Sequence, residues 1–255
     1  MRSMSFLCIF LLTISAARAD WIDSFAGGNR QQTWNFGSLP GGSSFTDSTQ
    51  AGQLTISAPT EVNLGGAAAV FGFVAQSFSD VTVRGRMNPG GVNNLNDNIG
   101  LVARLDAGTA SAYVLTMEYG SNGANASLDL NVSIGGNLTA LGPGPGSFAF
   151  TNTNSYFLEL TAFGNTITGS VYDGTTNALL TSVTGTNNAL ASGFSGIVAE
   201  RAATNVNPLL GTFGQMSSIT AVPEPTSMLL CGTVAVAGML IQRKRKRNRN
   251  RNPVH

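Results

Sequence analysis

The chain has 255 residues, with fourteen basic and thirteen acidic side chains and a net charge of +1, but that balance averages three unlike segments. Two of the basic residues lie before residue 19 and seven lie between Arg243 and Arg251, which leaves 20–222 with five arginines, no lysine and twelve carboxylates, a net charge of −7. So acidic a body excludes nucleic-acid binding through phosphate neutralisation; with Cys8, Cys231 and His255 all outside it, Cys/His zinc, a cysteine nucleophile, a Ser-His-Asp triad and disulfides are excluded there as well.

In chain order, residues 1–19, MRSMSFLCIFLLTISAARA, read as a signal peptide: Arg2, an apolar run from Phe6 to Ile14, and Ala17 and Ala19 in the A-x-A arrangement that signal peptidase accepts. Cleavage after Ala19 makes Asp20 the first mature residue. The apolar run is far shorter than the roughly 20 residues of a membrane span. Cys8 is followed by more apolar residues and no new mature start, so it is not read as a lipoprotein cysteine.

From 20 to 220 the periodicity is that of strands. QLTISAP (53–59), DVTVRGRM (80–87), IGLVARLD (99–106), SAYVLTMEY (111–119), SLDLNVSI (127–134), YFLELTAF (156–163), ITGSVYD (167–173), LLTSVTG (179–185) and GFSGIVAE (193–200) place an apolar residue at nearly every second position. NPGGVNNLNDN, GSNGAN, GGNLTALGPGPGS, FGNT and DGTTNA between them have turn composition. With no helical apolar stripe, the expectation is one all-β domain, an antiparallel two-sheet sandwich or jelly roll. A loop GSNGAN that pairs Met117 with Leu128 puts Tyr113, Leu115, Met117, Tyr119, Leu128, Leu130, Val132 and Ile134 in the core. Ile99, Leu101, Ala103, Leu105, Leu158, Leu160, Ile167 and Val171 join them. The outward residues are then Val102, Arg104, Val114, Thr116, Glu118, Asp129, Asn131, Ser133, Phe157, Glu159, Thr161, Phe163, Ser170 and Tyr172. Aromatics, an arginine, carboxylates and an amide together suit sugars, and Arg104, Glu118, Asp129, Asn131, Phe163 and Tyr172 are the candidate glycan-binding residues; an ordinary solvated sheet face has the same composition.

Two further chemistries are testable by spacing. Glycoside hydrolysis needs two carboxylates on one face, about 5–5.5 Å apart for retention or about 6.5–9.5 Å for inversion. Glu61, Glu118, Glu159 and Glu200 are isolated, no strand carries acids at i and i+2, and Glu118 with Asp129, diagonal across the 111–119/127–134 hairpin, is the one candidate pair. The loop NNLNDNIG offers side-chain oxygens of Asn94, Asn96, Asp97 and Asn98, the ligand type of a structural calcium, though with one charge among them and a composition equally suited to Asx turns. GPGPGS (142–147) has no lysine and no strand-to-helix context, so it is a loop and not a phosphate cradle. No resident cofactor is expected.

The strand order AGQLTIS, FSDVTVRGRM, NIGLVARLD, SAYVLTMEY, YFLELTAFGNTITGSVYD, GFSGIVA resembles concanavalin A-like sandwiches of the laminin-G and family-16-glucanase type over about residues 20–220. The resemblance implies that fold, and its retaining glucanases carry an E-x-D-x-x-E strand that this chain lacks.

The end of the chain, 221–255, is tripartite: VPEPTS at 222–227, an uncharged run from Thr226 to Ile241, and the basic tail 242–255. Sixteen helical residues reach about 24 Å at about 1.5 Å each, somewhat short of the roughly 30 Å hydrocarbon core, and the positive-inside rule keeps the tail cytoplasmic and the body outside. Val222, Pro223, Glu224 and Pro225, together with the apolar run and the basic cluster, resemble the PEP-CTERM sorting signal of Gram-negative bacteria. That resemblance implies an exosortase as processing partner, a membrane-anchored precursor, and delivery to the cell surface or an extracellular polysaccharide matrix; the long Arg/Asn extension to His255 departs from the usual short tail. The expectation is therefore an exported, non-catalytic surface or matrix protein that binds glycans, with a glycoside hydrolase or a purely structural matrix component as alternatives.

Overall fold

Segments with an apolar residue at every second position form strands in the computed structural model, since successive side chains of an extended chain point to opposite faces and one apolar face is buried. The structure describes residues 19–38, 46–50, 52–58, 68–88, 97–119, 125–151, 153–201 and 209–221. In chain order they supply β1 (Ala19–Asp23), β2 (Trp34–Ser38), β3 (Thr46–Gln50), β4 (Gln53–Ala58), β5 (Ala68–Phe78), β6 (Val81–Met87), β7 (Asp97–Asp106), β8 (Ser111–Tyr119), β9 (Asn125–Ile134), β10 (Asn137–Ala140), β11 (Gly146–Ala149), β12 (Tyr156–Phe163), β13 (Thr166–Asp173), β14 (Leu179–Thr186), β15 (Gly193–Arg201) and β16 (Leu209–Thr220). Among the described residues the one helical piece is a single turn at Ala26–Gly28, and no helix is long and apolar enough to cross a membrane.

The strands form two eight-stranded antiparallel sheets. The first runs β14-β13-β12-β6-β16-β4-β3, with β1 also paired to β16; the second runs β10-β9-β8-β7-β15-β5-β2, with β11 also paired to β9. The architecture is the expected sandwich of two antiparallel sheets. The chain divides into two units, Met1–Ala221 and Val222–His255. The sorting motif Val222 to Pro225, the apolar run 226–241 and the tail 242–255 lie outside the described residues, as do residues 1–18, Glu61, Asn94 and Asn96.

All nine strands expected from alternation form. In the β8–β9 hairpin Met117 pairs with Leu128, and Tyr113, Leu115, Met117, Leu128, Leu130 and Val132 are buried in the core. Facing them from the first sheet are Val81, Val83, Tyr156, Leu158, Leu160, Ile167 and Val171, each large aliphatic contributing about 1.5–3 kcal/mol on burial. Leu115 inserts where the opposite sheet has a hole: a Cβ at Gly169 would lie 2.2 Å from Leu115 Cδ1.

Two inward assignments fail. Ile134 is 46% exposed, because it ends β9 at the Gly135-Gly136 turn, beyond the reach of the facing sheet. In β7 the pairing to β8 slips between Ala103 and Asp106, and Arg104 sits at φ +51°. This bulge inverts the alternation for the residues after it. Leu105 therefore packs with Val102 and Val114 on the outer side of the sheet, and Arg104 turns inward, 2% exposed.

Candidate functional site

On the outer face of the first sheet, register places Arg86 opposite Phe157 and Phe157 opposite Tyr172, and in the next row Arg84 opposite Glu159 and Glu159 opposite Ser170. The side chains close into one layer. The Arg84 guanidinium lies 4.8 Å from the Phe157 ring centre and 5.3 Å from that of Tyr172, within cation–π range. Its Nη1 is 3.9 Å from Glu159 Oε2, its Nη2 donates to Asn177 Oδ1 at 3.2 Å, and its buried Nε has no protein acceptor among the described residues. The Tyr172 hydroxyl donates to Glu159 Oε1 at 3.3 Å, and burial, with the Glu159 charge beside it, pushes the phenol up from its ordinary range.

Beside this layer opens a cleft of about 750 Å³ with Arg86 and Phe157 on its wall and Gln53, Asn88, Asn154, Ser155 and Gln215 around it. Arg86 Nη2 donates to Ser155 Oγ at 2.7 Å, and its guanidinium stands 5.9 Å from the Phe157 ring centre. The far rim, at Ser24, is fixed by a buried carboxylate. Asp23 accepts from the backbone N–H groups of Phe25 (2.9 Å), Gln31 (3.1 Å) and Gln32 (3.1 Å) and from Trp34 Nε1 (2.8 Å), which ties β1 to β2.

The six candidate glycan-binding residues do not meet. Tyr172 belongs to the layer just described. Phe163, 37% exposed, is on the same face but six residues along β12 from Phe157, about 20 Å at the strand rise, beside the Gly164-Asn165 turn. Glu118, Asp129 and Asn131 lie on the outer face of the second sheet, on the opposite side of the sandwich. Arg104 is inside: Nε donates to the Ser79 carbonyl at 2.5 Å, Nη1 to those of Gly164 (2.9 Å) and Leu190 (2.8 Å), and Nη2 pairs with Asp80 Oδ1 at 3.2 Å. Its guanidinium is fully engaged by the fold, so it is no ligand-binding residue.

Glu118 and Asp129 do share a face, and a third carboxylate joins them. Glu200 pairs in register with Asn98, and Asn98 with Glu118, along one row, so Glu200 is not isolated as the sequence suggested. Burial and then the Asp129 charge raise the Glu118 carboxyl; burial, with Asp129 and Glu118 nearby, raises Glu200 against a hydrogen bond from Asn98 that lowers it. Ser127 Oγ donates to Asp129 at 2.8 Å. Toward the sheet centre the row borders apolar side chains, Phe71, Phe73, Val102, Val114 and Val198, with Phe73 stacked on Phe194 at 5.1 Å. Of the four proposed calcium ligands, Asp97 and Asn98 begin β7, where Asn98 Oδ1 is buried without a partner among the described residues. Among the described residues no three His, Cys, Asp or Glu are grouped to hold a metal ion.

Sequence reading missed Arg84 and Arg86, although DVTVRGRM carries the signal: Val81 and Val83 inward force the arginines two apart on the outward side. It missed Glu200 because the row that unites β15, β7 and β8 is non-local.

No family model matches the sequence, and no curated protein sequence matches it significantly. Solved structures match the fold. The CBM2 module of the evolved Dit of Lactobacillus casei BL23 phage J-1 superposes with a TM-score of 0.56 at 11% identity, over 80% of this chain and 96% of the module. LamAcat from Zobellia galactanivorans gives 0.52 at 11% identity, over 79% and 97%. Xylan β-1,4-xylosidase from Bacillus halodurans C-125 gives 0.53 at 13% identity, over 78% of this chain and 38% of the enzyme. At such identities the likeness shows the two-sheet sandwich and nothing finer.

Proposed function

We propose that the body is a non-catalytic glycan-binding module of concanavalin A-like fold that takes its ligand on the outer face of the first sheet. The observation that carries this reading is the layer of Arg84, Phe157, Tyr172 and Glu159 against a polar cleft. Guanidinium and amide N–H groups donate to sugar hydroxyls, Glu159 and the amide oxygens accept from them, and the aromatic edges supply apolar contact to C–H faces. Arg84 held over two rings costs little further ordering on binding. A CBM2 module and a xylosidase are among the proteins of similar fold, and a sugar ligand is in keeping with such a sandwich. Binding of the purified protein to a glycan array tests it, with Phe157→Ala expected to weaken binding about tenfold or more and the absence of any bound glycan contradicting it.

The same reading has the body exported. Signal peptidase cuts between Ala19 and Asp20, leaving all but the first residue of β1 (Ala19–Asp23); exosortase recognises Val222, Pro223, Glu224 and Pro225; the segment 226–241 anchors the precursor until sorting. The surface or extracellular polysaccharide matrix is the destination, and the N- and C-terminal sequence patterns support it.

A second reading, a hydrolase using Glu118 and Asp129, is favoured by their register: the two carboxylates share the outer face of the second sheet, diagonal across the β8–β9 hairpin, and burial raises the Glu118 carboxyl, the direction a general acid needs. Release of reducing sugar from β-glucan, lost in Glu118→Gln, is its signature. Absence of both glycan binding and glycan cleavage would favour a structural matrix component.

A further inference from the structure

Resting on the glycan-binding reading, we infer that the cleft takes an anionic polysaccharide, one carrying uronate carboxylates or sulfate esters, with the anion on Arg86. The distribution of charge leads there. Among the described residues the ion pairs are Arg30–Asp47, Arg84–Glu159 and Arg104–Asp80. Arg86 is in none of them; its one side-chain hydrogen bond among the described residues goes to the Ser155 hydroxyl, and it is exposed. The body holds twelve carboxylates against five arginines, yet among the described residues the wall of this cleft carries Arg86 and no acid. The nearest carboxylate by sequence to that wall, Asp23, is turned away and occupied by four donors.

A surface so acidic repels a polyanion over most of its area, and the cleft is where that repulsion is reversed. The guanidinium offers a carboxylate or sulfate two parallel donors, while Asn88, Asn154 and Gln215 around it supply neutral donors that bind an anion without competing carboxylates. Phe157, within 5.9 Å of Arg86, borders the same space and sets the sugar ring beside its charged substituent. Glu159 is ion-paired with Arg84 and accepts from the Tyr172 hydroxyl, so its charge is offset beside the cleft.

The test uses the purified mature protein, residues 20–222, without the basic tail, and three polymers: alginate for carboxylate, dextran sulfate for sulfate ester and unmodified dextran as the neutral control. The expected result is retention on alginate, dextran sulfate or both, weaker on dextran, falling as salt is raised. Arg86→Gln, which lies on the surface and leaves the core intact, should lose about tenfold or more on the charged polymer, with Arg86→Lys between the two. Which charged polymer responds distinguishes carboxylate from sulfate. Equal binding to dextran, or no effect of Arg86→Gln, overturns the anionic assignment and leaves the glycan reading standing. Failure to bind any of a broader neutral and charged glycan set overturns both.

Discussion

Arg104 is the residue whose environment decides most about its neighbours. Three carbonyls from three separate segments and one carboxylate converge on its guanidinium, so replacing it strands buried acceptors rather than trimming a surface charge. Arg104→Met should destabilise the body by about 3 kcal/mol or more, read by urea unfolding; a change within about 0.5 kcal/mol, as for a solvated face, would contradict the buried placement. The acidic row makes a pH-dependent prediction. The raised Glu118 and Glu200 carboxyls mean that the folded chain keeps protons the unfolded chain has released. Their contribution is therefore full below the ordinary glutamate pKa and is lost as pH rises through the folded values. Glu200→Gln keeps an acceptor for the Asn98 amide, so it should leave stability at pH 4 unchanged and raise it at pH 7; a loss at pH 7 would show the charge to be favourable where it sits.

Among the strands, packing between the sheets depends on complementary shapes at Leu115 and Gly169. Gly169→Val should cost about 1–3 kcal/mol by overpacking, and Leu115→Ala about 2–5 kcal/mol through its cavity. Because the two side chains compete for one space, the double variant should be more stable than the sum of the single losses; strict additivity would mean that the sheets do not pack there. Strands whose one face is buried were legible from alternation, down to the Met117–Leu128 register. The others were hidden for physical reasons. AAVFGFVAQSF in β5 is apolar on both sides because Val70 and Val74 enter the core while Phe71 and Phe73 cover the outer surface, so no alternation shows. In β16 the pairing slips between Phe213 and Met216, which breaks the period, and β10 and β11 lie within a Gly/Pro-rich stretch that reads as turn. The bulge at Arg104 left no mark in IGLVARLD, and it sent Arg104 and Leu105 to the wrong sides.

For the molecule as a whole, the fold class was legible and the candidate site half so. Outwardness was read correctly for Phe157, Glu159, Tyr172, Glu118, Asp129 and Asn131, but a period of two says only inward or outward and cannot tell which of two sheets a strand joins. One imagined face is therefore two, an arginine-aromatic layer on one side and an acidic row on the other, and the two functional readings separate with them. Export is tested independently of ligand: the mature surface protein should begin at Asp20 and end near Val222 by intact mass, whereas an intact Arg-rich C-terminus would contradict sorting. Whether the first sheet's outer face binds glycan is decided by comparing Phe157→Ala and Glu118→Gln with the unaltered protein on one glycan array. Binding should be weakened about tenfold or more by Phe157→Ala and unchanged by Glu118→Gln. Binding that survives Phe157→Ala and disappears in Glu118→Gln would move the site to the opposite face.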